Sequence, residues 1–267
     1  SDVYKRQVPE PPAVFDDCAI IDPESGRVFK TTQAFFTAFP PDPAKPNVAL
    51  LFRTKSYPLD THPVTSILVH RLRQVFNVIP IGLDSIVARD FKKLRALLAP
   101  RGTPRIDVLI NTEPFRLGQG PVGGDALAGE TFLRELNVPV LHPFLLNKRS
   151  IAQWQQDEKG TDVGEFLISI FLPELDGCIE TYPVAAVGSP EDQTPELSPR
   201  IDRIERLTKR TAAWSRLRRK QNSEKKIALV IYNYPPGEAH LGTSAFLDTF
   251  ASLAAILEKL SAAGYAT

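Results

Sequence analysis

The sequence contains no methionine and only two cysteines among 267 residues, and its 32 basic and 31 acidic side chains nearly cancel. Each shortage excludes something. Cys18 and Cys178 lie far apart and in no metal-ligand spacing, so two unpaired thiols in a reducing compartment are expected. A net charge of +1 supplies no general field to draw nucleic acid or an anionic membrane surface, and neither is expected as a partner. No apolar run approaches the ~20 residues that a membrane-crossing helix needs. The opening SDVYKRQVPE lacks the apolar stretch of a signal peptide, so a cytoplasmic location is expected. The absent methionine, Ser1 at the start and an end just past Gly264 give the expectation of an internal stretch of a longer protein. SDVYKRQ is set aside from the fold as a scar not native to it.

What remains is ordinary core material, 43% apolar and 24% charged, enough for one or two domains. Residues 1–46 are rich in proline and polar side chains around the patch QAFFTAF, and read as a connecting segment with one short helix. From Asn47 the texture changes to strand–helix alternation. NVALLF, NVIPIGL, IDVLINTE and VPVLHPF are apolar runs of strand length. Between them PVTSILVHRLRQVF, ARDFKKLRALLA and GDALAGETFLREL carry apolar residues at helical spacing. Helices are expected over SIAQWQQ and VGEFLISIFLPEL, and a strand over CIETYPVAAV. Such alternation with short links predicts an α/β fold, a doubly wound and mostly parallel sheet of Rossmann or flavodoxin type, over residues 47–190. Residues 191–225 then form a loop and a basic helical connector from about Pro199 to Gln221. Its arginines and Trp214 have the composition of an anion-binding surface. The plainer reading is a solvated connector, and the neutral overall charge favours it. From Lys226 to Thr267, IALVIY reads as a strand and FLDTFASLAAILEKLSAAGY as a helix, the beginning of a second α/β unit.

In open parallel sheets ligands sit beyond the carboxyl ends of strands. Four loops therefore matter: RTKSYPLDTHP with Tyr57, Asp60 and His62; NTEPFRLGQGPVGGD with Glu113, Arg116 and Asp125; HPFLLNKRS; and NYPPGEAHLGTS. The glycine-rich GQGPVGGD fits neither GxGxxG nor GxxxxGK[ST], so it reads as an active-site loop or a plain long turn rather than a phosphate cradle. His62 and His70 are eight apart and miss the spacing for a shared metal. His142 reads as a structural imidazole. Neither GxSxG nor HExxH occurs, which leaves no case for a serine or zinc hydrolase. The stretch YNYPPGEAHLGTSAFLD is the most distinctive. Two prolines and Gly237 break the strand sharply, Gly242 permits close backbone approach, and Thr243 or Ser244 offers a cap to the helix that follows. Asp248, one turn on, suits the positive end of a helix as well as it suits a ligand. Tyr232, Tyr234, Glu238 and His240 gather two aromatic faces, a carboxylate and an imidazole on one elbow.

The elbow sequence YNYPPGEAHLGTSAFLDTFASL, with FLPELDG, VPVLHPF, WQQDEKG and the basic connector, resembles the large subunit of the class I chelatases, the family that holds the large subunits of cobaltochelatase and of magnesium chelatase. The resemblance covers Asn47 to the end. It implies insertion of a divalent metal, Co2+ or Mg2+ as substrate, into a tetrapyrrole. ATP would be used by separate AAA+ partner subunits. The macrocycle would be hydrogenobyrinic acid diamide or protoporphyrin IX, with FLDTFASL leaning toward cobalt and corrinoid synthesis. On this reading Glu238 and His240 are the catalytic residues, for pyrrole deprotonation or metal delivery. Tyr232, Tyr234, Gly242, Asp248 and Glu113 are the substrate-binding residues, and the metal ligands are unknown. An α/β module that binds a small ligand without chemistry is the alternative. A sugar-nucleotide transferase is disfavoured, because no lysine or arginine lies between Tyr232 and Ser244.

Overall fold

The computed structural model describes residues 18–54, 62–84, 91–121, 123–188, 197–234, 236–237, 242 and 247–267. Its first element corrects an expectation. The run CAII is a fully buried strand, β1 (Cys18–Ile21), paired antiparallel with β2 (Val28–Phe29). The turn between them holds Gly26 at a φ of +68° and closes through Gly26 N to Asp22 O at 2.8 Å. Helix α1 (Thr32–Ala38) follows, capped by the Thr31 hydroxyl, which accepts from Ala34 N. Residues 18–46 thus pack instead of merely connecting, because four consecutive non-polar residues and the buried Phe35 give this stretch a core face of its own.

The alternation from Asn47 forms as expected. β3 (Asn47–Arg53) is followed by α2 (His62–Arg73), β4 (Asn77–Leu83), α3 (Phe91–Leu98) and β5 (Val108–Asn111). A small hairpin, β6 (Gln119–Gly120) with β7 (Gly123–Gly124), leads to α4 (Ala126–Leu136). Then come β8 (Val140–Ser150), α5 (Ile151–Gln156), α6 (Val163–Phe166), a π-helical turn over Leu167–Phe171, α7 (Leu172–Leu175) and β9 (Ile179–Val187). β8 runs on through HPFLLNKRS, which was expected to be a loop, because β9 keeps pairing with it across three register shifts. The end of the SPEDQTPELSP loop is likewise an edge strand, β10 (Leu197–Pro199), before α8 (Ile201–Arg219). Pro199 is tolerated there because an edge strand can spare an N–H donor.

The eight strands form one sheet in the order β10-β9-β8-β5-β3-β4-β1-β2. The five central strands are parallel, with antiparallel pairs at both edges. Taken in chain order, the parallel strands run 2-1-3-4-5, the flavodoxin-like arrangement, and the winding reverses between β3 and β5. One face buries Ala49, Leu51, Ile79, Ile81 and Leu109 against Leu94, Leu98, Phe132 and Leu136 of α3 and α4. The alternate residues Val48, Leu50 and Phe52 point to the other face, as the period of two requires, and are also buried. Each such side chain contributes roughly 1.5–3 kcal/mol. The glycine-rich segment serves packing: a Cβ on Gly118 would lie 2.1 Å from Asp125 O, and one on Gly129 would lie 2.7 Å from Gly118 N. Asp125 caps α4 through Ala128 N.

The chain divides into two compact units within α8, between Ala212 and Ala213. In the second, IALVIY does not form the expected strand. Among the described residues no strand pairs with it, and Val230 is 94% exposed. An apolar run becomes a strand only where a neighbour takes up its backbone groups. Helix α9 (Thr249–Ala262) begins later than expected, and Asp248, not Thr243 or Ser244, is its N-cap, with Asp248 Oδ1 accepting from Ala251 N at 2.9 Å.

Candidate functional site

The reversal between β3 and β5 opens a cavity of ≈ 250 Å³ at the carboxyl ends of those strands. Phe52 and Arg53 enter it from the end of β3, Thr112 to Phe115 from the exit of β5, and Val64, Thr65 and Leu68 from α2. Phe144 to Lys148 of β8 and Glu165, Ile168 and Ser169 of the α6–π segment close the far side, with Leu146 not among the lining residues. Glu113 therefore sits at a ligand-accepting position, as the strand-end rule expects. It is 1% exposed, with Arg53 Nε 3.6 Å from its Oε2 and its own N–H donating to Asn111 Oδ1 at 3.1 Å.

Two backbone irregularities shape this cavity. Phe115 has a φ of +65°, a left-handed conformation that a bulky side chain adopts only under constraint. The π-helical turn frees Ile168 O to accept from Phe115 N at 2.7 Å, which holds the strained loop against the helix. Beside it, Arg149 binds Asp157 at 2.9 Å and pairs with Glu165, and its guanidinium pKa is raised chiefly by the hydrogen bond to Glu165. The other Glu165 oxygen, Oε1, is buried without a hydrogen-bond partner, and so is Arg53 Nη2. Sequence reasoning reached Arg53 and Lys148 through their loops but missed Glu165 and Ser169, because nothing local reveals which turn of a helix will face a strand end.

The motif FLPELDG has a structural part. Asp176 is 7% exposed and accepts from Arg116 Nε at 2.7 Å and Leu117 N at 2.6 Å, tying the β5 loop to the end of α7. Cys178 beside it is buried, and burial pushes its thiol pKa up to about 12, so it stays protonated. His142 is also structural in its setting. It is fully buried, neither ring nitrogen has a partner within hydrogen-bond geometry, and burial takes its pKa down to about 4 against a weaker opposing pull from the backbone at Asn111 and Ser169. Its ordinary value is 6.5. The folded pKa lies below the unfolded one, so the unfolded chain binds more protons between the two. Stability is full above pH 6.5 and falls as pH drops toward 4, by about 3 kcal/mol in all. Urea unfolding at pH 7 and pH 4.5 measures this, and His142→Leu is expected to show a correspondingly smaller pH dependence than the parent.

The elbow lies in the second unit. Tyr232 and Tyr234 are 66% and 67% exposed, with ring centroids 6.3 Å apart and planes tilted by 44°, so both keep open faces. Gly242 has a φ of +69°, donates its N–H to Tyr232 O at 2.7 Å, and accepts from the Thr249 hydroxyl. A Cβ on Gly242 would meet Thr249 Cγ2 at 2.7 Å, so the close approach expected of this glycine is real. A hollow of ≈ 440 Å³ opens beside Tyr232, walled by Ile231, Gly242, Leu247, Thr249, Leu253 and Ile256. Asp248 is committed to its cap. Glu238 and His240 lie outside the described residues, as do Tyr57, Asp60, Thr243 and Ser244. Glu113 belongs to the first unit and the elbow to the second. Among the described residues no group of three or more His, Cys, Asp or Glu is placed to hold a metal ion, and no helix is long and apolar enough to cross a membrane.

Comparison with known proteins gives the family. The CobN/Magnesium Chelatase family model matches residues 1–267. The chain belongs to the CobN/magnesium chelatase family. Within that family it is 32% identical over 236 residues to the aerobic cobaltochelatase subunit CobN of Pseudomonas aeruginosa, which covers 83% of this chain and 18% of the relative. It is 34% identical over 166 residues to a magnesium-chelatase subunit of Chlorobaculum parvum, covering 60% of this chain and 12% of that relative. Among solved structures, the catalytic subunit of cobaltochelatase from Mycobacterium tuberculosis superposes with a TM-score of 0.63 at 21% identity, over 84% of this chain and 19% of that one, a likeness of fold. The chain spans about a fifth or less of the length of each of these family members.

Proposed function

We propose that this chain is part of the tetrapyrrole-binding large subunit of an ATP-dependent metal chelatase, acting in the cytoplasm. Family membership over the whole chain supports the chemistry, and the observation that carries the site is the elbow: two exposed tyrosines beside an apolar hollow. Flat conjugated rings favour offset or tilted contact with aromatic side chains, and an apolar wall removes ring surface from water. In this reading Tyr232 and Tyr234 receive the macrocycle, Gly242 lets the backbone approach it, and Asp248 fixes the helix that forms the hollow's wall. Glu238 and His240 take the two pyrrole protons or pass on the incoming metal, whose oxygen and nitrogen ligands must be held loosely enough to exchange. The metal is substrate here, and ATP is used by AAA+ partner subunits.

Cobalt insertion into hydrogenobyrinic acid diamide is the reading favoured, on the FLDTFASL stretch that follows the elbow. Magnesium insertion into protoporphyrin IX is the second reading, favoured by the 34% identity to a magnesium-chelatase subunit. Titrating the protein separately with a corrinoid precursor and with protoporphyrin IX, followed by absorbance, tests both. Saturable spectral change with one macrocycle selects the metal pathway. Response to neither, together with nucleotide binding, overturns the reading.

A further inference from the structure

We propose that the cavity between β3 and β5 is a second binding site, built wholly within the α/β unit, for a small carboxylic acid with an apolar body. The site does not depend on the chelatase reading. Its position is where open α/β sheets accept ligands, at the reversal of winding. Strain supports the same place: Phe115 in a left-handed conformation and the π-helical turn both form its wall, joined by the Phe115 N to Ile168 O bond. Departures of this kind persist where the surrounding structure holds them in place, and they cluster at ligand clamps.

The polar atoms define the ligand. Arg53 Nη2 is a buried donor with no acceptor, and Glu165 Oε1, on a side chain 9% exposed, is a buried acceptor with no donor. Unanswered groups of this kind are rare in native interiors and mark where a partner belongs. Geometry gives the sign of that partner. Arg149 is shared by Glu165 and Asp157, and Arg53 meets Glu113 through Nε. The Asp162 pKa is lowered first by the Glu165 N–H, and Lys148 on the exposed rim lies near enough to add to this without a close ion pair among the described residues. The buried donor left without an acceptor is Arg53 Nη2, with Lys148 on the rim of the same cavity, so the ligand brings a carboxylate for these two groups. A hydroxyl or amine on the ligand would answer Glu165. Phe52, Leu68, Phe144 and Ile168 supply apolar walls for its body. A volume of ≈ 250 Å³ suits a molecule of single-ring size and not a macrocycle.

Isothermal titration and ligand-observed NMR of the whole chain with 3-(4-hydroxyphenyl)propionate as probe test this, with its primary amide as the uncharged control. The acid is expected to bind saturably and the amide about tenfold more weakly, the usual size of a charge-assisted contact. Arg53→Gln should weaken the acid about tenfold. Lys148→Gln should weaken it about threefold, and because Lys148 is exposed this variant keeps the fold, as circular dichroism will verify. Absence of saturable binding at millimolar probe overturns the proposal. So does an amide that binds as well as the acid, or unchanged affinity in both variants.

Discussion

Asp176→Ala is expected to destabilise the α/β unit by about 3 kcal/mol. The carboxylate is almost wholly buried and answers two donors at once, Arg116 Nε at 2.7 Å and Leu117 N at 2.6 Å. Removing it leaves the guanidinium of Arg116, itself only 17% exposed, short of its nearest anion, since Glu130 lies farther off at 3.5 Å. It also leaves the buried Leu117 N–H without an acceptor. Both losses carry the desolvation cost of an unmet polar group, which exceeds the net gain of the bonds themselves. Asp176→Asn keeps one acceptor oxygen and drops the charge, so its loss should fall between parent and alanine. Urea unfolding followed by circular dichroism reads the difference. A loss under about 1 kcal/mol for Asp176→Ala would mean that the β5 loop is held by other contacts.

The second large effect is on activity. In a full-length family member supplied with its partner subunits, Glu238→Ala and His240→Ala should each lower metal insertion at least a hundredfold, the low end of what a positioned acid or base contributes. Macrocycle affinity should change by less than about twofold, because the aromatic faces and the apolar wall are untouched. Insertion assays under saturating macrocycle, paired with absorbance titration, separate the two quantities. Unchanged turnover in both variants would retire the pair as the catalytic groups and move the chemistry elsewhere in the protein.

The central fold was legible because its signals are periodic. NVALLF, NVIPIGL and IDVLINTE are buried on both faces and so read as unbroken apolar runs, and the helices between them carry a clear stripe. CAII was missed because four residues are too few to stand out from proline-rich surroundings, and its partner β4 lies some sixty residues away. IALVIY was misread for the opposite reason: its composition suits a strand, but pairing is a property of the neighbour and not of the run. Glu113 lies at the strand end where its loop put it and lines the cavity there. Its surroundings were hidden, since the strained Phe115 and the π turn arise from a contact between segments more than fifty residues apart. At the elbow the two tyrosines are exposed and Gly242 takes the close approach that its sequence position suggested, whereas Asp248 is spoken for by helix capping.

Absorbance titration of this protein with a corrinoid precursor and with protoporphyrin IX, set beside the Tyr232→Ala/Tyr234→Ala double variant, tests the proposed ring-binding role of the elbow most directly. Saturable binding by the parent and affinity at least about tenfold weaker in the variant are expected, on the scale of losing two aromatic contacts of ~1 kcal/mol each. Equal affinity in the two proteins would contradict it.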